Sequence, residues 1–212
     1  MNRFSCQRAF TLVETLVVVG IITLLIGLVM PAIKMVRAES RNSGCLSNLR
    51  QNFTAWQSYQ VANRGAMPMC EFLPVVTPEG ISGGLPNLLA NYIDVESPTW
   101  ICPADFDTES TDTGTSYNYL PGLLRFSPQV QMETLQVLMT LPANTIERQR
   151  QRLRLETEGK LVAKLFENDA KGLFPILIDS EDRHPGTRVP RNAIYLDGAA
   201  RAATVEANTA VD

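Results

Sequence analysis

Histidine and charge are both scarce in this sequence. Among 212 residues there is 1 histidine, His184, and charged residues make up 19%. The formal net charge of -3 and the pI near 5.3 lack the basic excess typical of nucleic-acid binding, so no nucleic-acid partner is expected. A Gly-rich phosphate loop and a G-x-S-x-G motif are also missing. The sequence therefore predicts that the protein is not an enzyme.

The cysteines are few and scattered. Cys6, Cys45, Cys70 and Cys102 have no C-x-x-C spacing. With a single histidine available, this pattern argues against a zinc site and predicts no metal or other cofactor. If the domain lies outside the cytoplasm, one disulfide is expected. Two pairings stay open: Cys70 with Cys102 ranks first, and Cys45 with Cys102 ranks second.

A long apolar run occupies the N-terminal region. Residues 10–33 read FTLVETLVVVGIITLLIGLVMPAI, and Glu14 is the only charged residue among them. As a helix, this run would extend about 36 Å, enough to cross a hydrocarbon core of about 30 Å. It is longer than the apolar region of a secretory signal peptide and lacks a clear small-x-small cleavage site after it. A membrane-spanning helix is predicted, in preference to a signal peptide or the core helix of a soluble protein.

Glu14 is the unusual residue of this run. An acid at the centre of a membrane span costs about 2.5 to 3.5 kcal/mol on insertion scales, so a positively charged partner is expected. Cleavage between Ala9 and Phe10 would create a free amine one helical turn from Glu14. That amine could pair with Glu14 of a neighbouring copy. The acid therefore predicts a chain that is cut and then packed against copies of itself.

The segment from Ala9 to Glu14, AFTLVE, resembles the prepilin motif G-F-T-L-[IV]-E of type IV pilins and type II secretion pseudopilins. This chain has alanine where the family usually has glycine. The resemblance implies cleavage between Ala9 and Phe10 by a prepilin peptidase, N-methylation of Phe10, and a role for Glu14 in assembly. It also implies a helix kink at Pro31.

The same resemblance implies an α+β, pilin-like fold, in which one long helix packs on a small antiparallel sheet. The expected parts are a leader (1–9), a transmembrane segment (10–33), an amphipathic helix half (34–65) and a globular head (66–212). The apolar stripe of the amphipathic half recurs every three or four residues. Its members are Leu46, Leu49, Phe53, Trp56 and Tyr59.

The C-terminal part of the head predicts strands. Residues 174–178 and 193–196 are apolar and β-prone, and Asp197-Gly198 predicts a two-residue hairpin turn with a return strand over 199–205. His184 and the Asp197-Gly198 pair resemble the H-X9-D-G signature of a pseudopilin-like subfamily abundant in planctomycetes, although twelve residues separate them here. A loop histidine and a turn aspartate are favoured over a metal or acid–base pair.

The middle of the head is harder to interpret. A short helix is expected within residues 85–93 and another over 129–141, whereas residues 147–165 fit either a helix or a hairpin. The acidic loop with Asp105 and Asp107 resembles a calcium loop but lacks its glycine and terminal glutamate. A solvated loop is favoured, with calcium as the alternative.

The resemblance implies a structural subunit of a type II secretion pseudopilus or type IV pilus. Its expected partners are other pilin subunits and the prepilin peptidase, with the assembly platform and motor ATPase acting indirectly. The expected location is the inner membrane, with the head on the extracytoplasmic side and the filament in the periplasm or at the cell surface. The alternative is a minor pilin whose head binds a surface, a secreted protein or DNA.

Overall fold

A computed structural model describes residues 12–106, 109–168, 174–184 and 190–203. The fold is α+β, with one long N-terminal helix followed by a small antiparallel sheet, as predicted. The chain divides into two compact units, Met1–Ser40 and Arg41–Asp212. The second unit contains the hydrophobic core.

Helix α1 spans Leu12–Ala62, which is 51 residues or about 76 Å of helix. It continues through Pro31, whose ring nitrogen has no N–H to donate to the carbonyl of Gly27. The helix ends where Arg64 and Gly65 take positive φ angles of 55° and 82°. There the Gly65 amide donates to the carbonyl of Gln60 at 2.9 Å, which satisfies a terminal carbonyl.

The second half of α1 supplies one side of the core. Leu49 and Trp56 are 0% and 1% exposed, and the ring of Phe53 stacks on Trp56 with centroids 5.3 Å apart. The Trp56 indole N–H donates to the Tyr119 hydroxyl at 3.3 Å, which joins the helix to the sheet. The predicted apolar stripe therefore packs as expected, because its spacing places these side chains on one face.

The main sheet has four strands in the order β3-β4-β5-β6, all antiparallel. They are β3 (Tyr117–Tyr119), β4 (Pro175–Asp179), β5 (Asn192–Tyr195) and β6 (Ala200–Ala202). Strands β4, β5 and β6 correspond to predicted strands, whereas β3 was not predicted. At three residues, β3 is too short for alternation to stand out in the sequence.

The hairpin between β5 and β6 forms at Asp197-Gly198, but its loop is longer than predicted. The Tyr195 amide donates to the carbonyl of Ala199, which leaves residues 196–198 as a three-residue loop. Within this loop, only Gly198 has a positive φ, 77°. A turn that ends in one left-handed glycine fits a three-residue hairpin, whereas a two-residue type I′ turn needs two positive φ angles. The prediction of a two-residue turn was therefore wrong.

Apart from β3, the chain between α1 and α5 forms only short elements. They are β1 (Val75–Thr77) paired with β2 (Gly80–Ser82), α2 (Gly84–Leu88), a 3-10 turn (Pro98–Trp100), α3 (Glu109–Thr113) and α4 (Pro121–Leu124). Helix α2 begins and ends earlier than the short helix expected within residues 85–93. The Trp100 side chain is buried, and its indole N–H donates to the carbonyl of Asp94 at 3.0 Å.

The segment that fitted either a helix or a hairpin is a helix. Helix α5 spans Pro128–Met139 and α6 spans Glu147–Glu167. Gly159 lies in the middle of α6, at a point where another segment passes close to the helix. A Cβ at this position would lie 2.5 Å from the carbonyl oxygen of Met67, and the Met67 amide donates to the Gly159 carbonyl at 3.1 Å.

This contact predicts the effect of Gly159→Ala. Alanine is the better helix former by about 1 kcal/mol, yet its methyl group would overlap the Met67 carbonyl. Overpacking of this kind costs about 1–3 kcal/mol, so the variant should lower the free energy of unfolding. Denaturant titration of the full chain, followed by tryptophan fluorescence, measures the change.

Gln151→Ala, on an exposed position of the same helix, is the matched control and should change stability by less than about 0.5 kcal/mol. A Gly159→Ala chain as stable as wild type, or more stable, would contradict the close approach of the two segments.

Candidate functional site

The first candidate site is the apolar front of α1. Large apolar side chains from Leu12 to Val36 are 44–77% exposed. By length and composition, α1 can cross a membrane. An apolar surface of this extent is unusual on a monomeric soluble protein and marks a surface for lipid or protein. The segment is therefore suited to burial in a bilayer or among similar helices.

Glu14 lies in the first described turn of α1. Glu14 is exposed, as is every other residue from Leu12 to Arg41. Ala9 and Phe10, between which cleavage is predicted, lie outside the described residues, so the cleavage site stays a prediction.

The second candidate site is a polar cluster inside the head. Cys45, Cys102, Asp179 and His184 are all buried, and one ligand-type atom from each lies within 4.8 Å of the other three. They come from α1, the loop after the 3-10 turn, the end of β4 and the loop that follows β4. We refer to these four residues as the buried cluster.

Short contacts connect the members of the buried cluster. The Cys45 thiol donates to Asp179 Oδ1 at 3.3 Å, and His184 Nε2 lies 3.2 Å from Asp179 Oδ2. The same Nε2 atom lies 3.7 Å from Cys102 Sγ. Tyr117 adds a hydroxyl 3.5 Å from Cys45 Sγ. Asp179 therefore contacts the sulfur atom of Cys45, and His184 contacts that of Cys102.

Backbone contacts hold the cluster in position. The carboxylate of Asp179 accepts the backbone N–H of Asn192 at 2.7 Å, which fixes it at the end of β4. The His184 amide donates to the carbonyl of Pro190 at 3.0 Å. Gly44 lets the Cys102 loop approach α1, because a Cβ there would lie only 3.0 Å from Pro103 Cγ.

The two thiols of the cluster have different acidities. A hydrogen bond from Cys45 lowers the pKa of Cys102 to about 6; burial opposes this shift, and a hydrogen bond from His184 assists it. That same thiol–thiol hydrogen bond, together with burial, raises the pKa of Cys45. Burial disfavours the charged form of His184, but hydrogen bonds to Asp179 and Cys102 outweigh it and raise its pKa to about 9. Of the two thiols, Cys102 therefore loses its proton more readily.

The structure changes the interpretation of the cysteines. Among the described residues, Cys45, Cys70 and Cys102 are all free thiols, so the first-ranked Cys70–Cys102 disulfide is not formed. Cys102 lies beside Cys45, the second-ranked partner. Burial, followed by the charge of Glu71, raises the pKa of Cys70 to about 12. Cys6 lies outside the described residues.

Asp105 faces into the protein. Its carboxylate is fully buried and pairs with Arg183 Nη2 at 3.2 Å, and it also accepts the Ser116 hydroxyl. These contacts engage the carboxylate with a cation of the chain itself, so the geometry gives no support to the calcium loop. Asp107, the second residue of that predicted loop, lies outside the described residues.

His184 and Asp197 have different partners. Asp197 accepts the Ala199 amide at 2.8 Å and pairs with Arg201 at 3.1 Å, as a turn residue does. His184 is in a loop, as expected, but it is buried and joins Asp179 and Cys102. Asp179 was missed by sequence reasoning. The signal was an acid directly after the apolar run 174–178.

Comparison with known proteins gives one family-level result. Residues 4–30 match the family model described as the prokaryotic N-terminal methylation motif. Together with the apolar helix, this match supports the type IV pilin and pseudopilin class, with a methylated N-terminus and a transmembrane segment. No curated protein and no solved structure is significantly similar to the chain. The H-X9-D-G subfamily resemblance is not confirmed.

The Asp105–Arg183 pair predicts a large effect of Asp105→Ala. Removing the acid leaves a guanidinium that is 3% exposed without this partner. Breaking a buried ion pair by removing one side costs about 3–5 kcal/mol, and the free energy of unfolding should fall by that amount. Denaturant titration of the full chain measures it.

Asp112→Ala removes an exposed acid from the same part of the head and is the control; its effect should stay below about 0.5 kcal/mol. Calcium should leave the melting temperature of the wild type unchanged. A rise in Tm with calcium that disappears in Asp105→Ala would instead support the calcium loop.

Proposed function

We propose that the chain is a structural subunit of a type II secretion pseudopilus or type IV pilus. The observation that carries this proposal is the match to the N-terminal methylation motif over residues 4–30, at the start of an exposed apolar helix. In this proposal, a prepilin peptidase cuts between Ala9 and Phe10, and Phe10 is N-methylated. The function is mechanical, and the chain performs no covalent chemistry.

The apolar front of α1 supports assembly through this helix. Before assembly, the bilayer covers its exposed side chains, and in the filament neighbouring copies of the helix cover them. Transfer between these two environments keeps the apolar surface away from water throughout. The head lies on the extracytoplasmic side of the inner membrane, and the platform protein and motor ATPase drive the transfer.

In this proposal, Glu14 determines the register in which neighbouring subunits pack. Inside a bundle of apolar helices, a carboxylate needs an opposite charge nearby. The α-amino group of Phe10 on a neighbouring subunit provides that charge once the leader has been removed. One pairing of amine and acid per subunit fixes how far each helix moves along its neighbour.

A minor pilin with a binding head is the second candidate. Apolar side chains around α5 favour it, since Phe126, Met132 and Met139 are 72%, 58% and 74% exposed. A minor pilin would be scarce in the filament, whereas the body subunit would dominate its mass. Subunit counting in isolated filaments distinguishes the two roles.

The variant Glu14→Ala tests the assembly mechanism. It should leave leader processing intact and lower incorporation into filaments by about tenfold or more, because the amine of the neighbour then lies unpaired in an apolar bundle. The measurement is the ratio of subunit in isolated filaments to subunit in the membrane, with the N-terminus of the membrane form checked by mass spectrometry.

Glu39→Ala is the matched control, because it removes an exposed acid from the same helix outside the apolar run; its incorporation should equal that of the wild type. Normal incorporation of Glu14→Ala would rule out the register role of this acid.

A further inference from the structure

We propose that Cys45, Cys102, Asp179 and His184 bind one zinc ion inside the head. The four side chains are those that zinc binds in proteins: two thiolates, an imidazole nitrogen and a carboxylate oxygen. Soft sulfur ligands combined with imidazole favour zinc over calcium or magnesium, which prefer all-oxygen sites. The proposal is independent of the role of the chain in a filament.

The spacing of the ligand atoms fits tetrahedral zinc. Zinc bonds of about 2.0–2.3 Å place tetrahedral ligands about 3.3–3.8 Å from one another. Cys45 Sγ lies 3.3 Å from Asp179 Oδ1, His184 Nε2 lies 3.2 Å from Asp179 Oδ2, and the same Nε2 lies 3.7 Å from Cys102 Sγ. One ligand atom from each residue already lies within 4.8 Å of the other three, so small side-chain shifts would bring one Asp179 oxygen and the other three ligand atoms onto a central ion.

The burial of the cluster favours a structural zinc site. Cys45 and Asp179 are 0% exposed, Cys102 is 1% and His184 is 4%. A dry interior disfavours so many ionisable groups unless an opposite charge compensates them. A divalent cation compensates two thiolates and a carboxylate to within one unit of charge. Four protein ligands also complete the coordination shell, which is the arrangement of structural sites.

Two further groups of the chain contact the proposed ligands. The Asn192 amide donates to Asp179 Oδ2 at 2.7 Å, and the Tyr117 hydroxyl lies 3.5 Å from Cys45 Sγ. Such contacts orient metal ligands and tune their basicity. A surface groove of about 450 Å³ is lined by Cys102 with Asn48, Pro103 and Asp105, so one of the four ligand residues borders an opening to solvent.

The competing arrangement is a disulfide between Cys45 and Cys102. A disulfide would involve only the two sulfur atoms, whereas zinc would engage all four groups of the buried cluster. The bound ion would join α1 to the end of β4 and to two loops, so that the sheet is fixed against the helix by coordination as well as by apolar packing.

The test uses the full chain, purified in detergent from cells without added metal. Elemental analysis should find about one zinc per chain in the wild type. Replacing zinc by cobalt should give the intense visible bands and the sulfur-to-cobalt charge-transfer band of a tetrahedral thiolate site. Alkylation followed by mass spectrometry should find Cys45 and Cys102 reduced once zinc has been removed.

Cys102→Ser and His184→Gln should weaken zinc binding by at least about tenfold, since the loss of a group that only hydrogen-bonds to a ligand already weakens metal binding by about 10–100-fold. Cys70→Ser, which changes a thiol outside the cluster, is the matched control and should bind zinc as the wild type does.

If the ligand variants fail to fold, the zinc content and the cobalt spectrum of the wild type still test the proposal. A wild-type chain without zinc, a Cys45–Cys102 disulfide in the isolated protein, or full zinc binding by Cys102→Ser would overturn the proposal.

Discussion

One helix has to satisfy two different surroundings, and the rest of the molecule depends on this constraint. The front of α1, from Leu12 to Val36, exposes apolar side chains that water does not solvate well. The back half buries Leu49 and Trp56 in the core of the head. The front half therefore needs a bilayer or neighbouring helices, whereas the back half carries its own partner in the same chain.

The head combines apolar packing with polar attachment to this helix. Trp56 bonds to Tyr119 in β3, and Cys45 bonds to Asp179 at the end of β4. Asn42 adds a third link, since its side-chain oxygen accepts from Asn192 at 2.7 Å. Directional contacts of this kind fix the register of the sheet along the helix, which apolar packing alone specifies less tightly.

Local patterns predicted much of the fold, because their physical causes are local. The apolar front of α1, the apolar run of β4 and the position of the β5–β6 hairpin, though not the length of its loop, can each be read from consecutive residues. The buried cluster was not predictable in this way. Its members come from four separate segments, and spacing rules for zinc address ligands within one short segment. The place of Gly159 inside a helix was not predictable for a related reason, since the carbonyl of Met67, which approaches it closely, lies far away in sequence.

We propose that proteolysis makes Phe10 the mature N-terminus, with its amine available to pair with Glu14 of a neighbouring copy. Mass spectrometry of the mature chain, isolated from the cell envelope and from filaments, tests this most directly. We expect the mature chain to start with N-methylated Phe10 in both fractions. A mature chain that retains Met1, or that starts beyond Pro31, would contradict it.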